Sequence, residues 1–548
     1  MTFAQHARPP HDTRTRSRTV GTTAKARWGL LAALALVGGQ AAVPAAFPSA
    51  LPTASAQTDL TWGDCPKASF TAPGTVCTEV QVPKDYSNPA GEKITLTVSK
   101  IPARGEKRGV IAGNPGGPGG DALGMFTSGE KDDIEIPRVT MPEKIREHYD
   151  QIAVQPRGLS HAEPLTCGAT EFPIPAELFV GGIAHELCET LQPGLVDSIT
   201  TENTARDLNE VRTQLGEDRL NLYGVSYGGV LMSTYATLFP QHTDHILLDS
   251  SASPKAQWFG LGESRQGARR DTLMAMFQWI ADRDDQYGLG TTPLQVYQSW
   301  AQRVNEETGV PAQLTPPPAQ VGDLPAGLQQ HAGVVLPVVN DAIPPIWRLY
   351  SGWSTLTRLA PGASNQSPLF AATLQNGLYD ESSWGDLAEY VRDGKPHDNS
   401  EKLLENIVED DEALLDFIES QVTLNTVMQS VFCNENTTPP ARERLLPHIV
   451  DSLTGGDALK QVDEGIATGA VCMGWPLPKA PVKVSGQALQ TKPLLMVFDK
   501  DSATTAQATT DMQEAMGGEI ITLEGYSHGV MAHASDKVAD KVNAYFGL

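Results

Sequence analysis

The sequence predicts an alpha/beta protein: a mostly parallel sheet with helices on both faces, interrupted late by a large helical insertion. Two observations carry this. Up to residue 253, short apolar runs bounded by Gly, Asn, Asp or Pro alternate with segments of helical periodicity, the pattern of a sheet buried on both sides. The alternation then stops. Longer helical patterns separated by Pro-rich loops fill residues 254–430, and strand character returns only at Pro493.

The elements follow in order. Lys93–Ile101 alternates apolar and polar residues (Ile94, Leu96, Val98) and reads as a half-buried strand. Residues 109–112, 152–154, 220–223, 246–248, 494–498 and 519–523 read as short strands. Ala205, Leu208, Val211 and Leu215 share one helical face, and Tyr227–Leu238 is apolar and free of breakers beyond Gly228-Gly229. Residues 271–282 and 412–421 carry helical patterns within the insertion, where Glu409 to Glu412 reads as a solvated helix start. The implied organisation is a signal segment (1–56), the first part of the core (57–253), a helical cap (254–430) and the C-terminal part of the core (431–548).

Lys and Arg total 41 against 65 Asp and Glu, a formal charge of -24, which repels polyphosphate and argues against a nucleic-acid partner. Residues 1–27 invert that balance with six basic residues against Asp12. An apolar run over 28–37 follows, then the small-residue site Ala54-Ser55-Ala56. This is the layout of a cleaved general-secretory signal. Breaks at Gly38, Gly39, Pro44 and Pro48 argue against a stable membrane span, so a secreted or cell-envelope location is expected. All six cysteines (Cys65, Cys77, Cys167, Cys188, Cys433, Cys472) lie beyond the signal, and an oxidising compartment favours disulfides. Sequence alone does not select the pairing; nearness favours 65 with 77, 167 with 188 and 433 with 472. None has the C-x-x-C spacing of a zinc site.

The chemistry centres on Gly224-Val225-Ser226-Tyr227-Gly228, a G-x-S-x-G after an apolar strand and before a helix. A tight turn there lifts the Ser226 hydroxyl above the sheet edge. Serine needs a base and an acid from later strand ends. His528 follows strand 519–523, and Asp501 follows strand 494–498. Asp499 competes with Asp501, and His533 competes with His528 from inside the last helical pattern. The loop Gly113 to Gly120 after an earlier strand offers backbone amides, so the oxyanion hole is assigned to Gly117 and Tyr227.

These pieces resemble the alpha/beta-hydrolase family of secreted tripeptidyl aminopeptidases, related to proline iminopeptidases. The matching segments are Asn114 to Gly120, Pro156-Arg157-Gly158, Thr200 to Tyr227, Cys472-Met473-Gly474-Trp475, Asp501 to Thr505 and His528-Gly529. The register of Asp501-Ser502-Ala503-Thr504-Thr505 resembles the family's D-P-V-T-P and favours Asp501 over Asp499. Departures are Gln155 for the usual Asp, Asp249-Ser250 for Asp-Gly, and loss of both prolines.

The resemblance implies an alpha/beta-hydrolase fold with a cap and exopeptidase action on peptide substrates with a free N-terminus, with no metal or organic cofactor required. It also implies an acid that holds the substrate ammonium. Glu435 is the candidate, with a solvated surface acid as the alternative reading. An esterase or lipase with the same triad and a catalytically silent binding module are the competing functions. Oligomeric state is not legible.

Overall fold

The computed structural model describes residues 60–69, 71–127, 138–168, 181–357, 367–396 and 411–548. The expected signal segment lies outside the described residues, which all fall in one compact unit, Gln57–Leu548.

Eight strands form one sheet: β1 (Val76–Pro83), β2 (Lys93–Ile101), β3 (Gly109–Asn114), β4 (Tyr149–Val154), β5 (Leu220–Val225), β6 (Thr243–Asp249), β7 (Leu494–Phe498) and β8 (Glu519–Leu523). Their order is β1-β2-β4-β3-β5-β6-β7-β8. β1, β2 and β4 pair antiparallel; from β4 to β8 every pairing is parallel. The parallel strands are buried along nearly their whole length in the middle of the sheet, as in β5 and β7. That explains why they read as continuous apolar runs while β2 alternates.

The helices that matter for the site are α1 (Thr201–Gln214), α2 (Tyr227–Leu238), α3 (Phe259–Ala281), α4 (Pro293–Thr308), α5 (Ala332–Thr357), α6 (Trp384–Asp393), α7 (Asp411–Asn434), α8 (Ala458–Ala467), α9 (Ala506–Met516) and α10 (Ser535–Tyr545). Ala205, Leu208 and Val211 of α1 pack with Val230 and Tyr235 of α2 and Met512 of α9 on one face of the sheet. Val538 and Val542 of α10 pack with Met125, Tyr149 and Phe546 on the other. Among the described residues between β6 and β7, the elements from Phe259 to Cys472 are all helical, and α7 runs through residue 430. It has its own core, in which Phe277, Trp300 and Trp384 are buried. Among the described residues no helix is long and apolar enough to cross a membrane.

Two features fix the part of the sheet under the site. The Thr200 hydroxyl accepts from Asn203 N at 3.2 Å and caps α1, an interaction worth about 1 kcal/mol. Arg157, fully buried, forks onto Asp207 of α1 (Nε to Oδ2, 2.7 Å) and donates to the carbonyls of Pro83 and Lys84, both at 3.0 Å. Tyr86 Oη adds a 2.7 Å bond to the same carboxylate. The Pro-Arg-Gly turn after β4 is thereby tied to α1 and to the end of β1. The disulfides are Cys65–Cys77, Cys167–Cys188 and Cys433–Cys472, the pairing that nearness favours.

Candidate active site

Register brings the functional loops to one edge. Asn114 of β3 lies opposite Gly224 of β5, Val225 opposite Asp249 of β6, and Asp249 opposite Met496 of β7. The loops that follow β3, β5, β6, β7 and β8 therefore leave the sheet at its carboxyl end, where open parallel sheets place their sites.

Ser226 sits between β5 and α2 with φ 59° and ψ -124°, a strained conformation for a residue with a side chain. It persists because its neighbours have no room to relax. A Cβ on Gly224 would lie 2.2 Å from the Gly228 carbonyl oxygen, and one on Gly228 would lie 2.3 Å from the Asn114 carbonyl oxygen. The glycines of G-x-S-x-G are thus required by backbone contact.

His528 and Asp501 meet as the order of the motifs implies. His528 Nδ1 is 2.8 Å from Asp501 Oδ2. Asp501 is 1% exposed, and its Oδ1 accepts from Ala503 N (2.9 Å) and Thr504 N (3.0 Å), which orients the carboxylate. Burial alone would lower the His528 pKa; the charge and hydrogen bond of Asp501, with Asp249 behind them, more than offset it and raise it above the ordinary imidazole value. Ser226 and His528 reach one another through β6: Ser226 N donates to the Asp249 carbonyl (3.0 Å), and Gly529 N donates to Ser250 Oγ (3.0 Å). Among the described residues no hydrogen bond joins Ser226 Oγ to His528, whose Nδ1 contacts are Asp501 and Thr504.

The competitors are engaged elsewhere. Asp499 accepts from Gly525 N (3.0 Å) and shapes the turn after β8. His533 pairs with Asp380, Nδ1 to Oδ1 3.3 Å.

The glycine loop lies directly over the serine. A Cβ on Gly116 would lie 2.9 Å from Ser226 Cβ and 3.1 Å from Tyr227 N. Gly117 N and Tyr227 N, the two assigned donors, have no hydrogen-bond partner among the described residues. Gln155 explains one departure from the family pattern. Buried, it accepts from Ala122 N (2.9 Å) and donates to the Ser160 carbonyl (3.0 Å), so one amide pins the end of the glycine loop to the Pro-Arg-Gly turn. A carboxylate could not donate the second bond.

The helical region roofs this edge. A Cβ on Gly119 would lie 2.6 Å from the Leu424 carbonyl oxygen, so α7 presses on the glycine loop. The segment before α6 covers the other side: His528 N donates to the Tyr379 carbonyl (2.8 Å), Ser502 Oγ to the Leu378 carbonyl (2.7 Å), and the Tyr379 ring stands edge-on to the imidazole at 5.6 Å. A cavity of about 310 Å³ adjoins His528, lined also by Pro115, Asp121, Met125, Val225 and Gly529.

Glu435 is not a solvated surface acid. It is 2% exposed at the end of α7, where Thr201 N donates to Oε2 (3.0 Å) and Trp258 Nε1 (3.3 Å) and Thr201 Oγ1 donate to Oε1. Thr201 Oγ1 also meets Tyr227 Oη at 2.9 Å. Burial pushes the Glu435 carboxyl up to about 7 against the pull of the Thr201 and Trp258 hydrogen bonds. Oε1 takes two of these donors and Oε2 one, which leaves one acceptor position on Oε2 beside Thr201 N.

Thr504 is a site neighbour that the motif reading used only for register. Its hydroxyl donates to the Ser250 carbonyl (2.6 Å) and lies 3.3 Å from both Asp501 Oδ2 and His528 Nδ1. Tyr379 left no sequence signal at all, because it reaches His528 from within the insertion.

Comparison with known proteins agrees with this architecture. Residues 114–274 match the alpha/beta hydrolase fold family and residues 460–547 the family described as TAP-like protein. A tripeptidyl aminopeptidase of Streptomyces coelicolor is 32% identical over 271 residues, 45% of this chain and 48% of that protein, so the match spans about half the relative's length. Serine protease Hip1 of Mycobacterium tuberculosis is 26% identical over 504 residues, covering 86% of this chain and 85% of that one. Carboxylesterase B of the same species is 26% identical over 501 residues, with 86% and 84% coverage. By its sheet order and by both matched segments, the chain has the alpha/beta hydrolase fold, and it is similar in sequence to tripeptidyl aminopeptidases and serine protease Hip1.

Proposed function

We propose that this chain is an exported serine peptidase that removes residues from the free amino terminus of peptides through Ser226, His528 and Asp501. The observation that carries the proposal is the 2.8 Å contact of His528 with a buried, oriented Asp501, on the sheet edge where Ser226 holds a strained turn. In this reading His528 takes the proton of Ser226 as the hydroxyl attacks the scissile carbonyl. The amides of Gly117 and Tyr227 hold the tetrahedral oxyanion. His528 then protonates the leaving amine, and Asp501 fixes the imidazole tautomer and stabilises its charged form. Water repeats the sequence on the acyl-enzyme.

Peptide specificity is supported by the tripeptidyl aminopeptidase and Hip1 relatives and by the cap over the cleft. Export is supported by the disulfides and by the basic-then-apolar segment before residue 57. An esterase is the second reading, favoured by the similar coverage of carboxylesterase B. A panel of peptide anilides with free and acetylated amino ends, run beside short acyl esters, separates them. The proposal expects hydrolysis of the free peptides and at least about a hundred-fold loss on acetylation, the price of leaving a site's polar partner unpaired. Indifference to acetylation with preference for esters would favour the esterase. No turnover of either class would overturn both readings.

A further inference from the structure

The dipeptide Asp249-Ser250 ends β6 and is bonded to all three loops that carry the proposed triad. The Asp249 carbonyl accepts from Ser226 N at 3.0 Å. Its carboxylate accepts from Val530 N (2.7 Å) and Met531 N (2.9 Å), just after His528, and from Tyr223 Oη (2.9 Å). Ser250 N donates to the Met496 carbonyl of β7 (2.8 Å), its carbonyl accepts from Thr504 Oγ1 (2.6 Å), and its hydroxyl accepts from Gly529 N (3.0 Å). Both residues are fully buried. Ser250 also holds φ 46°, strained for serine, where the resembling family carries Gly. The added hydroxyl is the acceptor for the amide next to His528, so the strained residue supplies a bond that glycine could not.

Resting on the serine-hydrolase reading above, we infer that Asp249 and Ser250 are positioning residues that set His528 and Asp501 against Ser226. The short helical turn Val530–His533 begins on amides that Asp249 holds, and Gly529 is fixed by Ser250. Releasing either contact frees the backbone on the carboxyl side of the imidazole. A displacement of about 1 Å at a proton-transfer contact costs up to about a hundred-fold in rate. The groups facing His528 are Asp501 and Thr504 from the loop after β7, Asp249 from β6, Tyr379 from the helical region and Asp121 across the adjoining cavity. The charge of Asp249 favours the imidazolium, so its removal moves the acid limb of activity to lower pH.

The test compares the full chain with Ser250→Gly, Ser250→Ala and Asp249→Asn. The readouts are kcat and KM on a free-amino peptide anilide and on an acyl ester, the pH profile of kcat/KM, and thermal unfolding. Both Ser250 variants are expected to fold and to lose about ten-fold or more in kcat, with KM within about two-fold. Asp249→Asn is expected to lose at least as much and to shift its acid limb downward. Folded Ser250 variants that keep wild-type kcat, with only a lower melting temperature, would overturn the inference. They decide the matter alone if Asp249→Asn does not fold. A wild-type chain that turns over neither substrate and leaves Ser226 unreactive toward a fluorophosphonate would instead overturn the hydrolase reading, and this inference with it.

Discussion

Replacing Asp501 by Asn changes one atom of the site and almost nothing of its shape. The side chain is buried, and its Oδ1 can still accept from Ala503 N and Thr504 N. What changes is the group 2.8 Å from His528 Nδ1, where a carboxylate oxygen becomes an amide donor. The imidazole must then accept at Nδ1 and carry its proton on Nε2, the tautomer that cannot take a proton from Ser226. In Ser-His-Asp enzymes such an error costs about ten-thousand-fold in kcat, which corresponds to about 5 kcal/mol of transition-state stabilisation. Asp501 also raises the His528 pKa, so the variant's residual activity has its acid limb at lower pH than wild type. The base must be neutral to act, so wild-type activity falls as pH drops through that raised value. The assay is kcat/KM on a free-amino peptide anilide between about pH 5 and 9, with circular dichroism to verify the fold. A folded variant within about ten-fold of wild type, with an unmoved acid limb, would refute the reasoning.

Glu435→Gln tests the buried acid at the end of α7. A folded-state pKa of about 7, above the ordinary carboxyl value, means that the stability held by protonated Glu435 is fully present below the unfolded pKa and is lost as pH rises through about 7. The variant's unfolding free energy is therefore expected to gain on wild type as pH rises across that window, by on the order of 3 kcal/mol, read by denaturant titration at several pH values. An unchanged KM would leave Glu435 a structural acid, whereas a large rise in KM would make it the ammonium partner. Asp207→Ala strands the fully buried Arg157 and is expected to cost about 3–5 kcal/mol of stability in the same titration. A loss below about 1 kcal/mol would mean that the Pro83 and Lys84 carbonyls suffice to hold the guanidinium.

Legibility in the sequence followed the range of the interactions. β2, β7 and β8 have the bounds that their residue patterns predict. β3 and β6 run further than their apolar runs, into Asn114 and Asp249, whose backbones pair in the sheet while their side chains work at its edge. β1 carries the same alternation as β2, with Val80 and Val82 buried and Glu79 and Gln81 exposed, but over only four residues before Pro83. α5 escaped because Pro337, Pro344 and Pro345 read as breakers, yet the helix runs through them. The triad candidates were legible because each follows a strand end in a fixed chain order. The roles of Asp249, Ser250 and Tyr379 were not, since they depend on strand register and on how the insertion folds back. Glu435 was readable as a residue and not as an environment: its burial comes from Thr201 and Trp258, more than 170 positions away.

The central claim, that Ser226 is a nucleophile activated by His528 on Asp501, is tested most directly by covalent labelling. The purified chain is treated with a fluorophosphonate and its adduct located by peptide mass mapping. The account predicts one adduct on Ser226, absent in Ser226→Ala and formed orders of magnitude more slowly in His528→Ala. Peptide hydrolysis by a chain that stays unlabelled at Ser226, or labelling that His528→Ala leaves at full rate, would contradict it.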